Sequence, residues 1–206
     1  MTAILRNPWF WVLMLIAFNA LGPLRALTVH QIAYMESINI EREIAARYVG
    51  AAGLLTAAAF IIWGIVSDRI GRAWTFSLGA ALLMLAVGLL YVMRGNASTL
   101  VLSGYILLFG LAEGTRSSQT TAMASDTFPN AGMGLINSIV GSLFGLGAAF
   151  GPWIVGILHD ITGGYNAGFG VVIATTLISM LAFIALANRQ RLSPERAKVT
   201  APASGD

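Results

Sequence analysis

Apolar residues run along this chain in six long stretches, separated by short segments rich in charge, proline or glycine. A helix needs about 20 mainly apolar residues to cross a bilayer core of about 30 Å, and each stretch reaches that length. The pattern therefore predicts an all-α transmembrane fold with six spanning helices. The predicted spans cover residues 8–30, 45–66, 74–93, 99–122, 133–158 and 167–187.

The composition supports a membrane environment. Of the 206 residues, 57% are hydrophobic and 10% are charged, against roughly 25% charged residues in soluble domains. The absence of cysteine excludes disulfides, thiolate metal sites and a cysteine nucleophile. The net charge of +3 comes from basic residues at span ends, where they orient helices, so nucleic acid is not an expected partner.

Loop charges predict the orientation of the bundle. Six spans place both termini on the same side, and most basic loop residues lie there: Arg6, Arg69, Arg72, Arg189, Arg191, Arg196 and Lys198. The opposite loops hold Arg42 and Arg94 with three glutamates nearby. The positive-inside rule therefore predicts cytoplasmic termini in the cell (inner) membrane. We expect a cytoplasmic segment over 1–7, the helical domain over 8–190 and a disordered cytoplasmic tail over 191–206.

The N-terminus permits a second interpretation. Arg6 and the apolar stretch 9–20 resemble the basic and apolar regions of a signal peptide. The apolar run resumes after Gly22-Pro23, however, and five more spans follow. This continuation favours a membrane helix that is kinked at Pro23.

Polar residues are distributed unequally among the spans. The third and sixth spans contain no ionisable residue except Tyr91, which is typical of helices that face lipid. The first and fourth spans carry charged and amide side chains, although a charge near the membrane centre costs at least a few kcal/mol unless it is paired or hydrated. These side chains are the candidate solute-binding residues: Arg116, Glu113, Arg25, Asn19 and Gln119.

Structural explanations exist for the same residues. Glu113 and Arg116 stand three positions apart and would neutralise each other as an ion pair within one helix. Arg25 lies close enough to the outer end of the predicted span for its head to reach the headgroups. In the corresponding structural explanation for Asn19, its side chain only forms a hydrogen bond with a neighbouring helix.

The fifth span is rich in glycine. Two pairs of glycines follow the small-xxx-small spacing that lets helix backbones approach closely, and a proline in the same span permits bending. The candidate packing residues are Gly141, Gly145, Gly147, Gly151, Pro152 and Gly156.

The loop between the second and third spans has a distinctive order of residues. Gly64 would allow close helix contact, Asp68 would approach the positive N-terminus of a neighbouring helix, and Gly71 would permit the turn. Arg69 and Arg72 would anchor the loop on the cytoplasmic side.

This segment, Gly64-x-x-x-Asp68-Arg69-x-Gly71-Arg72, resembles the loop signature of the major facilitator superfamily, with Ala73 in place of the final basic residue. Residues 5–11 look like the entry to the family's seventh helix, and residues 151–165 are similar to its eleventh helix and the turn that follows. The resemblance covers residues 5–190 and favours the C-terminal six-helix half, in the monocarboxylate or oxalate:formate exchanger branch.

The resemblance implies a half-transporter built as a 3+3 inverted repeat, in which the first and fourth spans line a central cavity. A cavity arginine commonly meets the carboxylate of an organic anion in these transporters, and Arg116, with Arg25 second, is placed to do so. Glu113 is a candidate proton carrier. Asp126, at the inner end of the fourth span, is expected either to pair with Arg72 as part of a cytoplasmic gate or to cap the fifth helix.

The expected function is therefore secondary transport of a small solute by alternating access, without cofactor or metal. A complete solute site then requires a second six-helix half, supplied by a longer product, a separate chain or a second copy. The alternative is a non-transporting membrane subunit or remnant that packs with a partner. An intramembrane enzyme is not expected, because neither a metal-binding histidine pattern nor a nucleophile and base pair occurs.

Overall fold

A computed structural model describes residues 5–95, 97–128 and 133–192, which form six long helices and no strand. The predicted six-helix fold is confirmed, and the helices extend beyond most of the predicted spans. The tail from residue 193 onward and the first four residues lie outside the described part. The helices are α1 (Pro8–Ser37), α2 (Arg42–Ile70), α3 (Arg72–Met93), α4 (Thr99–Thr127), α5 (Met133–Thr162) and α6 (Asn166–Leu192).

Local sequence signals set the helix ends. Asn7 accepts a hydrogen bond from the backbone N–H of Trp9 at 3.0 Å, and Pro8 occupies the first helical position of α1. Gly71 alone separates α2 from α3, with a φ of 86° that glycine tolerates best. The predicted turn at Gly71 is therefore present.

Five of the six described helices are long and apolar enough to cross a membrane. The exception is α4, which has 29 residues but a lower mean hydropathy because serine, threonine, glutamine and charged residues fill its second half. A helix of this kind is stable in a membrane only where protein or water covers its polar face. The bundle covers most of that face, as described below.

The helices pack in a symmetric pattern. The four most extensive contacts join, in decreasing order, α1 to α5, α3 to α4, α4 to α2 and α6 to α1. Exchanging helices one to three with helices four to six maps each of these contacts onto its counterpart. Contacts of Asn19 with Arg116 and of Gln31 with Tyr105 show that α1 and α4 run antiparallel. The arrangement is that of an inverted repeat of two three-helix units.

Small residues form two of the most extensive helix contacts, α1–α5 and α4–α2. In the α1–α5 contact, a Cβ atom at Gly147 or Gly151 would overlap the backbone carbonyl of Phe18 or Gly22. In the α4–α2 contact, a Cβ at Gly114 would lie 2.7 Å from the Cβ of Ala59. The predicted Gly147 and Gly151 packing pair is thus present, and close backbone approach holds both repeats together.

Three other predicted glycine contacts are not found. Gly141, Gly145 and Gly64 have open space around their Cβ positions within this chain, because they face away from the neighbouring helices. Gly156 and Pro152 do contact α1: the His30 ring lies beside Gly156, and its Nε2 is 3.0 Å from the Pro152 carbonyl oxygen.

The core consists of two apolar clusters separated by a polar layer. One cluster, around Leu24, Tyr34 and Phe109, fills the half of the bundle next to the α1–α2 and α3–α4 turns, which we name the outer half after the predicted orientation. The other, around Phe10, Phe76 and Phe183, fills the half next to the α2–α3 turn, which we name the inner half. Between them lie buried polar side chains, chiefly from α4 and α6: Thr115, Arg116, Gln119, Thr120, Thr176 and Ser179. The candidate site lies at this level.

Exposure is greatest on α2 and α5. The apolar outer faces expected on α3 and α6 are present, for example at Leu85 and Leu181, but these two helices are not the least buried. In α2 the buried residues form one narrow stripe of small side chains: Ala45, Ala52, Thr56, Ala59 and Ser67.

Candidate functional site

Three polar contacts at successive depths join α1 to α4. The Arg116 guanidinium donates to backbone carbonyls of α1, Arg25 pairs with Glu113, and the Tyr105 hydroxyl donates to Gln31 Oε1 at 2.7 Å. We call this set the polar seam. The first and fourth helices therefore do have polar surroundings, as predicted. For most side chains of the polar seam, these surroundings are groups of the other helix.

The middle contact of the polar seam combines charge with access. Arg25 Nη1 lies 3.3 Å from Glu113 Oε1, and the side chains are 43% and 14% exposed. Thr56 of α2 donates to the second carboxylate oxygen of Glu113 at 3.2 Å. Three helices therefore meet at one ion pair, whose arginine has an open side.

The depth of this ion pair differs from the expectation for Arg25. Helix α1 continues to Ser37, so Arg25 lies twelve residues before its end, which corresponds to about 18 Å along the helix axis. Glu113 is the central residue of α4. Arg25 therefore lies near the middle of α1 rather than close to its end, and it reaches a carboxylate of the neighbouring helix.

Arg116 occupies a different environment from the expected cavity wall. Its side chain is completely buried, with hydrogen bonds to the carbonyls of Asn19 and Ala20 and to Ser179 Oγ. The ion pair between Glu113 and Arg116, which was the alternative structural explanation for these residues, does not form, because Glu113 contacts Arg25 and Arg116 bonds within the bundle. Arg116 has no exposed surface at which an opposite wall could meet a solute.

The two amide candidates also bond within the bundle. The Asn19 side chain donates to the Leu15 carbonyl of its own helix at 2.9 Å, and Gln119 Oε1 accepts from Ser67 Oγ of α2 at 2.7 Å. Their side chains are 7% and 3% exposed. Of the five predicted solute-binding residues, Arg25 and Glu113 are brought together at an accessible position.

The loop motif surrounds a second polar site at the inner end. Arg72 Nη1 lies 2.6 Å from Asp126 Oδ2, and it also donates to the Ala122 carbonyl. The predicted contact between Arg72 and Asp126 is therefore present. Arg72 and Asp126 line an open cavity of about 330 Å³ together with Ser67, Asp68, Gln190 and neighbouring apolar residues. Asp68 and Arg69 are exposed and form no ion pair with any described residue.

Three partner residues were missing from the prediction. Thr56 is a polar residue within the apolar run of α2, and that interruption was a usable signal. Ser179 interrupts α6 in the same way. Phe76, whose ring centroid lies 5.0 Å from the Arg116 guanidinium carbon, carries no such signal because aromatic residues are common in apolar spans.

An aromatic cluster lies at the outer end of the bundle. Tyr165, in the turn between α5 and α6, packs against the rings of His30, His159 and Tyr34. Burial is the main cause that raises the pKa of the Tyr165 hydroxyl, and the negative charge of Asp160 adds to it. The hydroxyl therefore remains protonated at neutral pH, and the cluster joins α1 to the α5–α6 turn.

The geometry at mid-depth allows one kind of chemistry. An arginine binds a carboxylate through two parallel N–H donors, and exchange of one carboxylate partner for another conserves this interaction. Among the described residues, no group of three or more histidine, aspartate or glutamate side chains is arranged to hold a metal ion. The accessible side of Arg25 thus offers the kind of donors that a carboxylate accepts.

Comparisons with known proteins agree with the architecture. The family model of the Major Facilitator Superfamily matches residues 12–204. Two proteins of Agrobacterium vitis, each with the name "Putative tartrate transporter", are 29% identical over 153 residues and 30% identical over 146 residues. These matches cover 73% and 69% of this chain, and 34% and 31% of the relatives. The matched part of this chain thus spans about a third of the length of each relative.

Proposed function

The chain belongs to the major facilitator superfamily, and from this premise we propose that it forms the C-terminal six-helix half of a transporter for a small organic anion. Five described helices suitable for crossing a membrane and the family assignment make it an integral membrane protein. The proposal places it in the cell (inner) membrane with cytoplasmic termini, following the charges of its loops.

The accessible ion pair of Arg25 and Glu113 is the observation that carries the proposal. A half-exposed arginine at mid-depth is costly in lipid but favourable against a water-filled cavity, and solute sites of this transporter class lie near the bilayer midplane. A second six-helix half, packed over the open side of Arg25, would close that cavity. We propose that a longer product, a separate chain or a second copy supplies this half.

The solute class follows from the arginine and from the relatives. Arg25 supplies the two parallel donors that a carboxylate accepts. The relatives are named for tartrate, a dianion with two carboxylates and two hydroxyls. We propose tartrate or a similar hydroxydicarboxylate as the solute, in preference to the monocarboxylates of the branch predicted from sequence.

Glu113 gives the site a means of coupling. In the absence of solute its carboxylate holds Arg25, and Thr56 donates to the same carboxylate. A proton on Glu113 would weaken the ion pair and free Arg25 for the carboxylate of the solute. Alternating access then exposes the loaded site to the other side, where loss of the proton restores the ion pair and releases the solute.

Uptake of radiolabelled tartrate tests the proposal. Cells that lack endogenous tartrate uptake would express this chain alone, or together with the N-terminal six helices of a family member. We expect saturable uptake that rises as the external pH falls. Arg25→Ala should reduce uptake at least about tenfold, as expected for loss of a charged hydrogen bond, and Glu113→Gln should remove the pH dependence.

Two controls separate the possible outcomes. Arg47→Ala removes an arginine from an exposed ion pair with Glu43 at the outer end of α2 and should leave uptake unchanged. Uptake unaffected by both Arg25→Ala and Glu113→Gln would refute the site. Absence of uptake in every combination, with a folded chain in the membrane, would favour the non-transporting subunit.

A further inference from the structure

Pro23 interrupts the backbone hydrogen bonds of α1 inside the bundle. Proline has no N–H, so the carbonyl of Asn19, four residues earlier, has no donor at the usual helical position. Arg116 Nη2 of α4 donates to this carbonyl at 3.0 Å, and Arg116 Nε donates to the next carbonyl, that of Ala20, at 3.0 Å. Arg116 therefore supplies from another helix the donor that Pro23 lacks.

The Arg116 guanidinium is also held from two other helices. Nη2 donates to Ser179 Oγ of α6 at 2.7 Å, and the guanidinium carbon lies over the Phe76 ring of α3. Nη1 has no hydrogen-bond partner among the described residues, but it is enclosed like the rest of the side chain. Movement of this group toward a solute would leave buried carbonyls without donors, which is costly in a low-dielectric interior.

Helix α4 thus holds α1 on both sides of Pro23. Arg116 binds the backbone just before the proline, and Glu113, one turn away on α4, binds Arg25 just after it. The segment between the two contacts lacks one helical hydrogen bond, and a helix bends most easily at such a point. The place of Arg25 relative to Glu113 therefore depends on the contact made by Arg116.

We propose that Arg116 is a positioning residue: it replaces the backbone donor missing at Pro23 and thereby fixes α1 so that Arg25 faces Glu113 and the solute. Arg116 does not touch the solute. The link between Arg116 and Pro23 stands independently, whereas the consequence for the solute rests on the proposed transport of an organic anion.

A double-mutant cycle tests the link without any transport assay. Pro23→Ala restores a backbone N–H four residues after Asn19, so the Asn19 carbonyl no longer requires Arg116. The full chain would be purified in one detergent, and thermal midpoints would be measured for wild type, Arg116→Met, Pro23→Ala and the double variant. Arg116→Met should lower the thermal midpoint in the wild-type background, and it should lower it by about 5 °C less in the Pro23→Ala background. Equal shifts in both backgrounds would overturn the link.

Cysteine labelling tests whether α1 moves. The chain contains no cysteine, and Ala26, beside Arg25, is 1% exposed. A single cysteine introduced by Ala26→Cys should react slowly with a maleimide in the otherwise unchanged chain. We expect about tenfold faster labelling with Arg116→Met, as for a local opening made easier by the lost contact, and slow labelling again when Pro23→Ala is added. Labelling unaffected by Arg116→Met would contradict the positioning role.

Uptake kinetics distinguish a positioning residue from a solute ligand. Arg116→Met should raise the KM for tartrate about tenfold, because displacement of a binding group by about 1 Å is enough for such losses. Adding Pro23→Ala should bring the KM back to within about threefold of the Pro23→Ala value. A KM that stays raised in the double variant would identify Arg116 as a ligand and overturn the proposal, as would an unchanged KM for Arg116→Met.

A matched control addresses general destabilisation. Phe183 stacks on Phe76 with ring centroids 4.2 Å apart, close to Arg116. Phe183→Leu should lower the thermal midpoint without changing either the labelling of the cysteine introduced by Ala26→Cys or the KM. If wild type shows no tartrate uptake, the proposed function fails, but the midpoints and the labelling rates still decide the role of Arg116.

Discussion

Helix α1 makes two contacts of opposite character. Toward α5 it presents backbone: Gly147 and Gly151 lie directly against the carbonyls of Phe18 and Gly22. Toward α4 it presents the polar seam, with an arginine at two of its three levels. The first contact depends on the absence of side chains at Gly147 and Gly151, whereas the second depends on charged and polar side chains that are costly to place in a membrane.

The difference indicates how stability and function are divided within one helix. Close glycine packing needs no charged partner and works in lipid, so the α1–α5 contact can stabilise the bundle without charged groups. The polar seam contains a half-exposed ion pair, and such a group persists where function requires it. We infer that α1 and α5 form a fixed pair, while the contact between α1 and α4 contains the adjustable part of the bundle.

The largest effect should come from filling the glycine contact. Gly151→Val would force α1 and α5 apart, because the new side chain would overlap the backbone of Gly22. Overpacking of this kind costs about 3 kcal/mol or more. We expect little folded protein, measured as monodisperse yield after size-exclusion chromatography and as a thermal midpoint.

Gly145→Val, in the same helix, is the matched control. Its Cβ position is in open space within this chain, so folding of the chain should be nearly unchanged. Equal yields for the two variants would mean that the α1–α5 contact is looser than the structure indicates, and the proposed division of α1 would fail.

An intermediate effect is expected from breaking the ion pair on one side only. Arg25→Met removes the charged partner of Glu113, whose side chain is only 14% exposed in the wild type, and leaves Thr56 as its remaining side-chain partner. We expect a loss of stability of about 1–2 kcal/mol, below the cost for a fully buried pair because Arg25 is half-exposed. Adding Glu113→Gln should recover most of this loss, since it removes the unpaired charge. The measurement is the thermal midpoint at neutral pH.

Uptake should respond differently from stability in the same variants. The double variant should be stable but remain inactive, because no arginine is left to bind the solute. Recovery of both stability and uptake would show that the ion pair has only a structural role. In that case the polar seam, like the glycine contact, would serve to stabilise the bundle.

The fold was predictable because the bilayer requires long apolar helices, and charges at their ends reveal their limits. The polar level was predictable as well: Asn19, Arg25, Glu113 and Arg116 were identified because charged and amide groups are rare in spans. The turn at Gly71 followed from its place in the loop motif.

The pairing of these groups was not predictable. Glu113 and Arg116 are neighbours on one helix, but their side chains point to different partners on α1, and only packing decides this. Pro23 was interpreted as a kink, whereas its greater consequence is the free carbonyl that receives Arg116. Likewise, spacing alone could not separate the packed Gly147 from the open Gly145.

The smallest effect should come from the ion pair between Arg72 and Asp126, a polar contact that lies outside the polar seam at the inner end of the bundle. Arg72 and Asp126 are 37% and 26% exposed, so Asp126→Asn should cost no more than about 1 kcal/mol of stability. Both residues belong to this chain, and their pairing ties the α2–α3 turn to the end of α4.

If the pair helps to close the cytoplasmic side, Asp126→Asn should increase labelling of a cysteine introduced by Ala73→Cys, at a position that lines the adjoining cavity. The expected increase is at most about fivefold, because a cost of up to about 1 kcal/mol shifts an opening equilibrium by no more than that factor. Glu43→Gln, which breaks an exposed pair at the outer end of α2, should leave that labelling unchanged. Equal labelling and uptake in wild type and Asp126→Asn would remove the gating role and leave the pair as a simple attachment of the turn.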